Sequence, residues 1–361
     1  MKRPVLCLLL PTFQAGGMER VMAELAGYFC ARHRDEVHLI LYGRNIRFYY
    51  PLPERLVVHQ PHAVFNDRLR LVAMFKRLMF LRGTVKMLQP QKILSFGEYW
   101  NSFVLLALLG LPYPVYVSDR CQPGKKMSLM HFVLRRCLYP GAKGMIAQTG
   151  QARDIYFREL RHRNIRVIAN PVRIPESTNG VPKEQLVLSV GRLIPGKNHD
   201  RLIALFAALN QPGWRLIIVG GDAQKMQLRN SLQKQIEELD ATDSIQLAGD
   251  QTDVASYYRR AKVFAFTSES EGFPNVLAEA LSFGLPAVAF DCVAGPADLL
   301  IDGHNGFLVP LNNYPLFSQR LKQLMDDEDL RQRMGQNARA GIARYSLEHI
   351  GKAYYDFMSG K

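Results

Sequence analysis

The sequence predicts two α/β domains in tandem, each a doubly wound parallel sheet. Three observations carry this. The chain has 361 residues, more than one hydrophobic core usually serves. It opens twice in the same way, about 180 residues apart, with an apolar run, a glycine-bearing turn and a helical pattern. Its apolar runs are also continuous rather than alternating, as strands buried on both faces require.

The first opening is VLCLLL (5–10), PTFQAGGM (11–18) and ERVMAELAGYF (19–29). The runs VHLILY (37–42), KILSF (92–96), VYVSD (115–119) and GMIAQT (144–149) supply further strands. Pro, Gly, Ser and Asn then concentrate over 170–185, which marks the boundary between a first domain, 1–170, and a second, 171–340. The second opening is LVLSV (186–190), GRLIPGKN (191–198) and HDRLIALFAAL (199–209), followed by strands RLIIVG (215–220), VFAFTS (263–268) and PAVAFD (286–291). The stretch DDEDLRQRMGQNARAGIARYSLEHIGKAYYDFM reads as two helices. The last, within 341–361, either stays on the second domain or crosses back to the first.

Composition narrows the function. A chain with 48% hydrophobic and 22% charged residues is an ordinary globular one. Its longest apolar run, Phe103 to Leu111, is far too short to span a bilayer. MKRPVLCLLL copies the start of a signal peptide but lacks a cleavage pattern, so a buried first strand is expected. Cys7, Cys30, Cys121, Cys137 and Cys292 form no C-x-x-C pair, which fits a reducing cytosol and gives no zinc signal.

The net charge of +14 is uneven: residues 1–175 hold 27 Lys and Arg against 10 Asp and Glu, and the remainder 19 against 22. So basic a first half suits an anionic membrane surface or nucleic acid, and no nucleic-acid-binding motif favours the latter. Two segments interleave cations with apolar residues: 66–92, with Arg68, Arg70, Lys76, Arg77, Arg82 and Lys86, and 125–143. Each reads either as a helix lying on lipid or as a helix whose apolar stripe packs inward under solvated cations. The two together favour peripheral membrane attachment.

Doubly wound sheets bind ligands beyond the carboxyl ends of their strands. GRLIPGKN brings Arg192 and Lys197 to such an end, where a bidentate guanidinium and an ammonium suit a diphosphate; two solvated cations are the alternative. SESEGFPNVLAE (268–279) places Glu271 after a strand, turns the chain at Gly272 and Pro274, and starts a helix near Asn275. Amides at that helix start form an anion site. Glu279, about one turn inside, reads equally as a helix-dipole partner. An NAD-dependent dehydrogenase is disfavoured, because QAGGMER lacks G-x-G-x-x-G and no acidic residue ends the VHLILYGRN strand.

Taken together, Arg192, Lys197, the E-x7-E element ESEGFPNVLAEALSFGLPAVA and the GRLIPGKN turn resemble the retaining glycosyltransferases of family 4. GGMERV, NPV (170–172), VGGDAQKMQL and GPADLLIDGHNGFLVP (295–310) support the resemblance, which spans nearly the whole chain. It implies the GT-B fold, two Rossmann-like domains facing across a cleft, and transfer of a hexose or N-acetylhexosamine from a nucleotide sugar, UDP-linked, to a membrane-associated glycolipid or glycan. Arg192 and Lys197 would hold the diphosphate, Glu271 the donor sugar and Glu279 the ribose. Asn275 and Val276 would present amides to phosphate, Gly272, Phe273 and Pro274 would line the sugar pocket, and Gly16 and Gly17 would let a first-domain loop approach donor and acceptor.

On the acceptor side stand Glu19, Asp119 and Arg120. Many relatives carry His where this chain has Arg120; Asp119 and Arg120 form a candidate pair for an acceptor phosphate or the sugar C6 region, or else a plain salt bridge. The resemblance implies no metal and no cofactor beyond the donor. It also implies a protein on the cytoplasmic face of the inner membrane, building surface polysaccharide, lipopolysaccharide or glycoprotein glycans, with no nucleic-acid partner. A GT-B epimerase or hydrolase of nucleotide sugars is the alternative, and a non-catalytic membrane module the weaker one.

Overall fold

The computed structural model describes residues 3–14, 16–43, 46–61, 70–175, 181–223 and 226–361. Arg68 of the first basic segment, and Gln224 and Lys225 of VGGDAQKMQL, lie outside the described residues. The chain divides into two compact units, Met1–Pro171 with Leu347–Lys361, and Val172–Ser346.

The first unit is built on β1 (Val5–Leu10), β2 (Glu36–Leu41), β3 (Val57–His59), β4 (Lys92–Phe96), β5 (Val115–Ser118), β6 (Gly144–Ala147) and β7 (Ile165–Val167). They pair in the order β3-β2-β1-β4-β5-β6-β7, every pair parallel. β1 lies in the interior of the sheet, between β2 and β4, because five of its six residues, Leu6 to Leu10, can be buried from both sides. Helices α1 (Gly17–Arg32), α2 (Arg70–Leu88), α3 (Glu98–Ala107), α4 (Leu129–Leu138) and α5 (Gly150–Leu160) cross over between the strands. A core containing Cys7, Leu9, Ile40, Val85, Val104, Val117 and Tyr156 fills one face.

The second unit repeats the plan with β8 (Leu186–Val190), β9 (Arg215–Val219), β10 (Ile245–Gly249), β11 (Val263–Phe266), β12 (Ala287–Asp291) and β13 (Gly306–Pro310), ordered β10-β9-β8-β11-β12-β13 and again parallel. Its helices are α6 (His199–Leu209), α7 (Leu228–Glu238), α8 (Val254–Arg260), α9 (Asn275–Ser282), α10 (Pro296–Leu299), α11 (Tyr314–Asp326) and α12 (Glu328–Ile342). The strand order reverses between β8 and β11. The loops leaving these two strands are the ones where a doubly wound sheet opens a crevice for ligand.

Residues 341–346 stay with the second unit, since α12 runs to Ile342 and the short turn Ala343–Tyr345 follows. The last helix, α13 (Leu347–Met358), packs on α1 of the first unit. Two pairs of neighbours lock it there. Lys92 Nζ reaches Asp35 Oδ2 at 2.8 Å and the Tyr355 hydroxyl at 3.1 Å, and Tyr355 donates to Asp35 Oδ1 at 3.0 Å. His33 stacks flat on the Tyr355 ring, 3.4 Å between centroids.

Candidate active site

In the second unit the two sequence motifs leave neighbouring strands and meet. The turn after β8 is shaped by Gly220 on β9's exit: a Cβ there would stand 2.0 Å from the Gly191 carbonyl oxygen, so a side chain would push the turn off. The turn is then clamped to the end of β11. Asn198, left-handed at φ 53°, donates to the Thr267 carbonyl and to Glu269 Oε1, both at 3.1 Å. Thr267 Oγ1 donates to the Lys197 carbonyl at 2.7 Å, and the Glu269 amide to the Gly196 carbonyl at 3.0 Å.

This clamp brings Lys197 Nζ within 2.5 Å of Glu271 Oε1, with both side chains more than four-fifths covered. Two residues singled out for separate contacts with a donor therefore bond one another. Arg192 lies exposed on the same turn and, among the described residues, has no acidic partner. An arriving dianion would find one free cation and a second whose only counter-charge is a single carboxylate.

Pro274 precedes α9, and Gly295 lets it do so: Gly295 holds φ at +124°, and a Cβ on it would stand 2.2 Å from Pro274 Cδ. Of the first amides, that of Asn275 already donates to the Phe273 carbonyl at 2.9 Å. The expectation that Asn275 and Val276 both offer amides to phosphate is thus narrowed to Val276, whose amide has no backbone acceptor among the described residues. Phe273 and Pro274 are buried, Gly272 half-buried. Glu279 is the fifth residue of α9, so the first turn holds no acid and a dipole role is removed. Its Oε2 accepts instead from the Tyr258 hydroxyl at 3.2 Å, and Tyr258 stacks on Phe283.

Under the turn lies His199, 4% exposed, its ring set against the backbone of Gly191 and Arg192. Burial, helped by the Lys197 ammonium, pulls its pKa down to about 4. Nearby Cys292 is buried and its thiol pushed up to about 12, which leaves it un-ionised at neutral pH and unfit as a nucleophile. The Asp-x-Asp spacing of Asp327-Glu328-Asp329 opens α12, where Asp327 caps the Leu330 amide at 2.8 Å.

In the first unit, Gly16 is the N-cap of α1 in extended backbone, φ −173°, which any residue adopts. The reason for glycine there is space: a Cβ would stand 2.3 Å from Glu19 Oε2. Gly17 begins the helix. Glu19 is 8% exposed and accepts from Thr12 Oγ1 at 3.0 Å, while the Tyr50 hydroxyl donates to the Gly16 carbonyl at 3.0 Å. Glu19 thus holds the loop in shape.

The pairing of Asp119 with Arg120 is overturned. Asp119 Oδ2 accepts from Arg135 on α4, and Oδ1 from Tyr139 Oη at 2.6 Å and Asn101 Nδ2 at 3.0 Å. Asp119, 3% exposed, has its carboxylate committed to a buried polar network. Arg120 turns the other way, stacking 3.4 Å above the Phe96 ring centroid and donating to Asn170 Oδ1 at 2.5 Å and Tyr354 Oη at 2.8 Å. Its side-chain partners are neutral. Arg135 and Arg82 also leave the basic surface: the first pairs with Asp119, the second donates to the Ala107 and Leu109 carbonyls at the end of α3.

Residues 173–341 match the family model described as glycosyl transferases group 1. The chain is 28% identical over 358 residues to the amylovoran biosynthesis glycosyltransferase AmsD of Erwinia amylovora, covering 96% of both. Residues 173–341 therefore form a glycosyl transferases group 1 domain, and the chain has the GT-B fold. The matched span of the chain contains Arg192, Lys197, Glu271 and Glu279. The chain is also 26% identical over 350 residues, 95% of the chain and 94% of the relative, to a Campylobacter jejuni enzyme. That relative is named GalNAc-alpha-(1->4)-GalNAc-alpha-(1->3)-diNAcBac-PP-undecaprenol alpha-1,4-N-acetyl-D-galactosaminyltransferase. Its fold is that of Anabaena HepE in complex with UDP, with TM-score 0.81 at 18% identity over 99% of this chain and all of the other.

Sequence reasoning missed Asn198, Thr267 and Tyr258, which hold the site in shape. For Asn198 a signal existed: Asn directly before a helix, after a glycine-bearing turn, tolerates left-handed backbone better than most residues. Tyr258 gave none.

Proposed function

We propose that this protein is a retaining glycosyltransferase of family 4 that moves a hexose or N-acetylhexosamine from a UDP-linked donor to a membrane-associated glycolipid or glycan in surface polysaccharide, lipopolysaccharide or glycoprotein-glycan synthesis. The observation that carries the reading is the convergence of Arg192, the Lys197–Glu271 pair and the Val276 amide on the crevice between β8 and β11. Arg192 and Lys197 take the diphosphate and offset its charge as the sugar's bond to it breaks. Glu271, released from Lys197, holds the sugar hydroxyls, and Glu279, oriented by Tyr258, the ribose. The acceptor oxygen bonds to the same face of the sugar. Cations and an amide do the electrostatic work, without a metal.

The acceptor belongs to the first unit, near Arg120, and a membrane brings it there. Leu71 and Phe75 on α2 are 77% and 62% exposed, and Leu129 and Met130 on α4 are 77% and 63%. With Arg70, Lys76, Lys86, Lys125 and Lys126 exposed around them, these faces suit an anionic lipid surface on the cytoplasmic side of the inner membrane. Two similar proteins support both substrates: UDP is bound by HepE, and an undecaprenol-diphosphate glycan is the acceptor of the Campylobacter jejuni relative.

Thermal stabilisation by a panel of nucleotide sugars, followed by turnover with membrane lipid extracts, tests the reading. Arg192→Ala and Lys197→Ala should each weaken donor binding about 10- to 100-fold, the worth of one charge-assisted hydrogen bond. Donor binding that survives both, or turnover that survives Glu271→Ala, sinks the assignment. Donor consumption without any acceptor would point to a hydrolase or epimerase instead.

A further inference from the structure

The second unit carries another cavity, of about 360 Å³, at the opposite edge of its sheet from the β8 and β11 exits. Its walls come from residues that precede strands, Lys183 before β8, Lys262 before β11 and Pro286 before β12, and from α12. Four cations line it, Lys183, Lys262, Arg331 and Arg339, against the single carboxylate of Glu328.

Among the described residues, the acids nearby leave Lys183, Lys262 and Arg331 in excess of negative charge. Glu184, adjacent in sequence to Lys183, is fully used: Arg260 takes it at 2.6 and 3.1 Å and Arg215 at 2.6 Å. Glu328 reaches Arg331 only at 3.8 Å and is 64% exposed. Although Lys183 as a residue is exposed, its Nζ turns inward, and the acceptor it finds is the Ala261 carbonyl at 3.1 Å. Lys262 makes no ion pair among the described residues. Arg331 spends Nη1 on the Leu324 and Met325 carbonyls, which fixes its guanidinium at the cavity wall. Burial, and then the neighbouring Lys262 ammonium, pulls Lys183 down to about 8. Like charges gathered in a concave site repel one another, and an anion seated between them reverses the sign of that interaction.

We propose that this cavity is a second anion site, distinct from the donor crevice, which binds a multivalent phosphate group through Lys183, Lys262 and Arg331. The volume exceeds that of inorganic pyrophosphate and admits a phosphorylated headgroup or a nucleotide. A fixed guanidinium and two ammoniums together suit the several oxygens and multiple charge of a phosphate group. The inference stands apart from the donor reading, because none of its residues lies on the turn after β8 or at the start of α9.

The test uses the full chain carrying Arg192→Ala and Lys197→Ala, so that the donor crevice cannot answer for the second site. Sodium pyrophosphate should raise the unfolding midpoint by about 2 °C or more over sodium chloride of equal ionic strength. Adding Lys183→Gln and Lys262→Gln should abolish the rise, and Lys183→Arg with Lys262→Arg should keep it. Without ligand, the double glutamine variant should unfold at a higher temperature than its parent, since the repulsion is gone. A parallel arm with phosphatidic acid vesicles separates the sources: binding that needs both lysines, without a pyrophosphate shift, assigns the site to a lipid headgroup. A pyrophosphate rise that persists in the glutamine variant, or the absence of lysine-dependent binding in both arms, overturns the proposal.

Discussion

His199 makes the stability of the donor-side turn depend on pH in a way that can be calculated. Its pKa is about 4 in the folded chain against 6.5 as the ordinary value, chiefly through burial. The depressed folded value means that the unfolded chain takes up the proton first. Stability is therefore complete above about pH 6.5 and falls as pH drops toward 4. At pH 5.5 an unfolded histidine is about nine-tenths protonated and the folded one hardly at all, which costs on the order of 1 kcal/mol relative to pH 8 and about 3 kcal/mol by pH 4. For a unit of this size that corresponds to a fall of about 2–4 °C in midpoint between pH 8 and 5.5. The assay is thermal unfolding of the wild type and His199→Gln over pH 5 to 8, following the transition that the substitution shifts. His33, His38 and His59 are also held below their ordinary values, but they are common to both proteins and cancel. Parallel curves for the two proteins would show that His199 does not titrate between its two environments, and the burial argument would fall.

Other outcomes follow from the same geometry. Asp119→Ala strips Arg135 of its buried counter-charge and should cost about 3–5 kcal/mol in urea unfolding, whereas a midpoint near wild type would mean the network is not buried as described. Gly295→Ala combines positive φ with a clash on Pro274 and should cost about 1–3 kcal/mol while weakening donor binding through a displaced α9; unchanged donor affinity would separate Gly295 from the site. Leu71→Asp with Phe75→Asp should leave stability within about 0.5 kcal/mol. The same pair should abolish binding to anionic vesicles in a flotation assay, and retained binding would contradict the membrane reading.

The strands that sequence reasoning found and those it overlooked divide along a physical line. VLCLLL, LVLSV, VFAFTS and PAVAFD are interior strands and read as unbroken apolar runs. The four it did not find, β3, β7, β10 and β13, are the four sheet edges. An edge strand has one neighbour and one open side, so Arg166 and Gln246 can stand exposed within it and interrupt the run. The donor-side residues were legible for a related reason: they leave interior strands directly, and a strand's end can be placed once the strand is seen. The partner of Asp119 was not, because Arg135 lies on α4 inside a segment that looked like lipid-facing surface. Only the fold brings the two together.

The return of α13 to the first unit has a consequence for biosynthesis. Val172–Ser346 is one uninterrupted stretch, and all of its residues are joined before residue 347 is added. The first unit, although translated earlier, waits for Tyr354 to reach Arg120 and for Tyr355 to join Lys92 and Asp35. Order of synthesis and order of completion are thereby reversed: the half that is made first is finished last, and a chain cut just before residue 347 would keep a whole second unit beside an unfinished first.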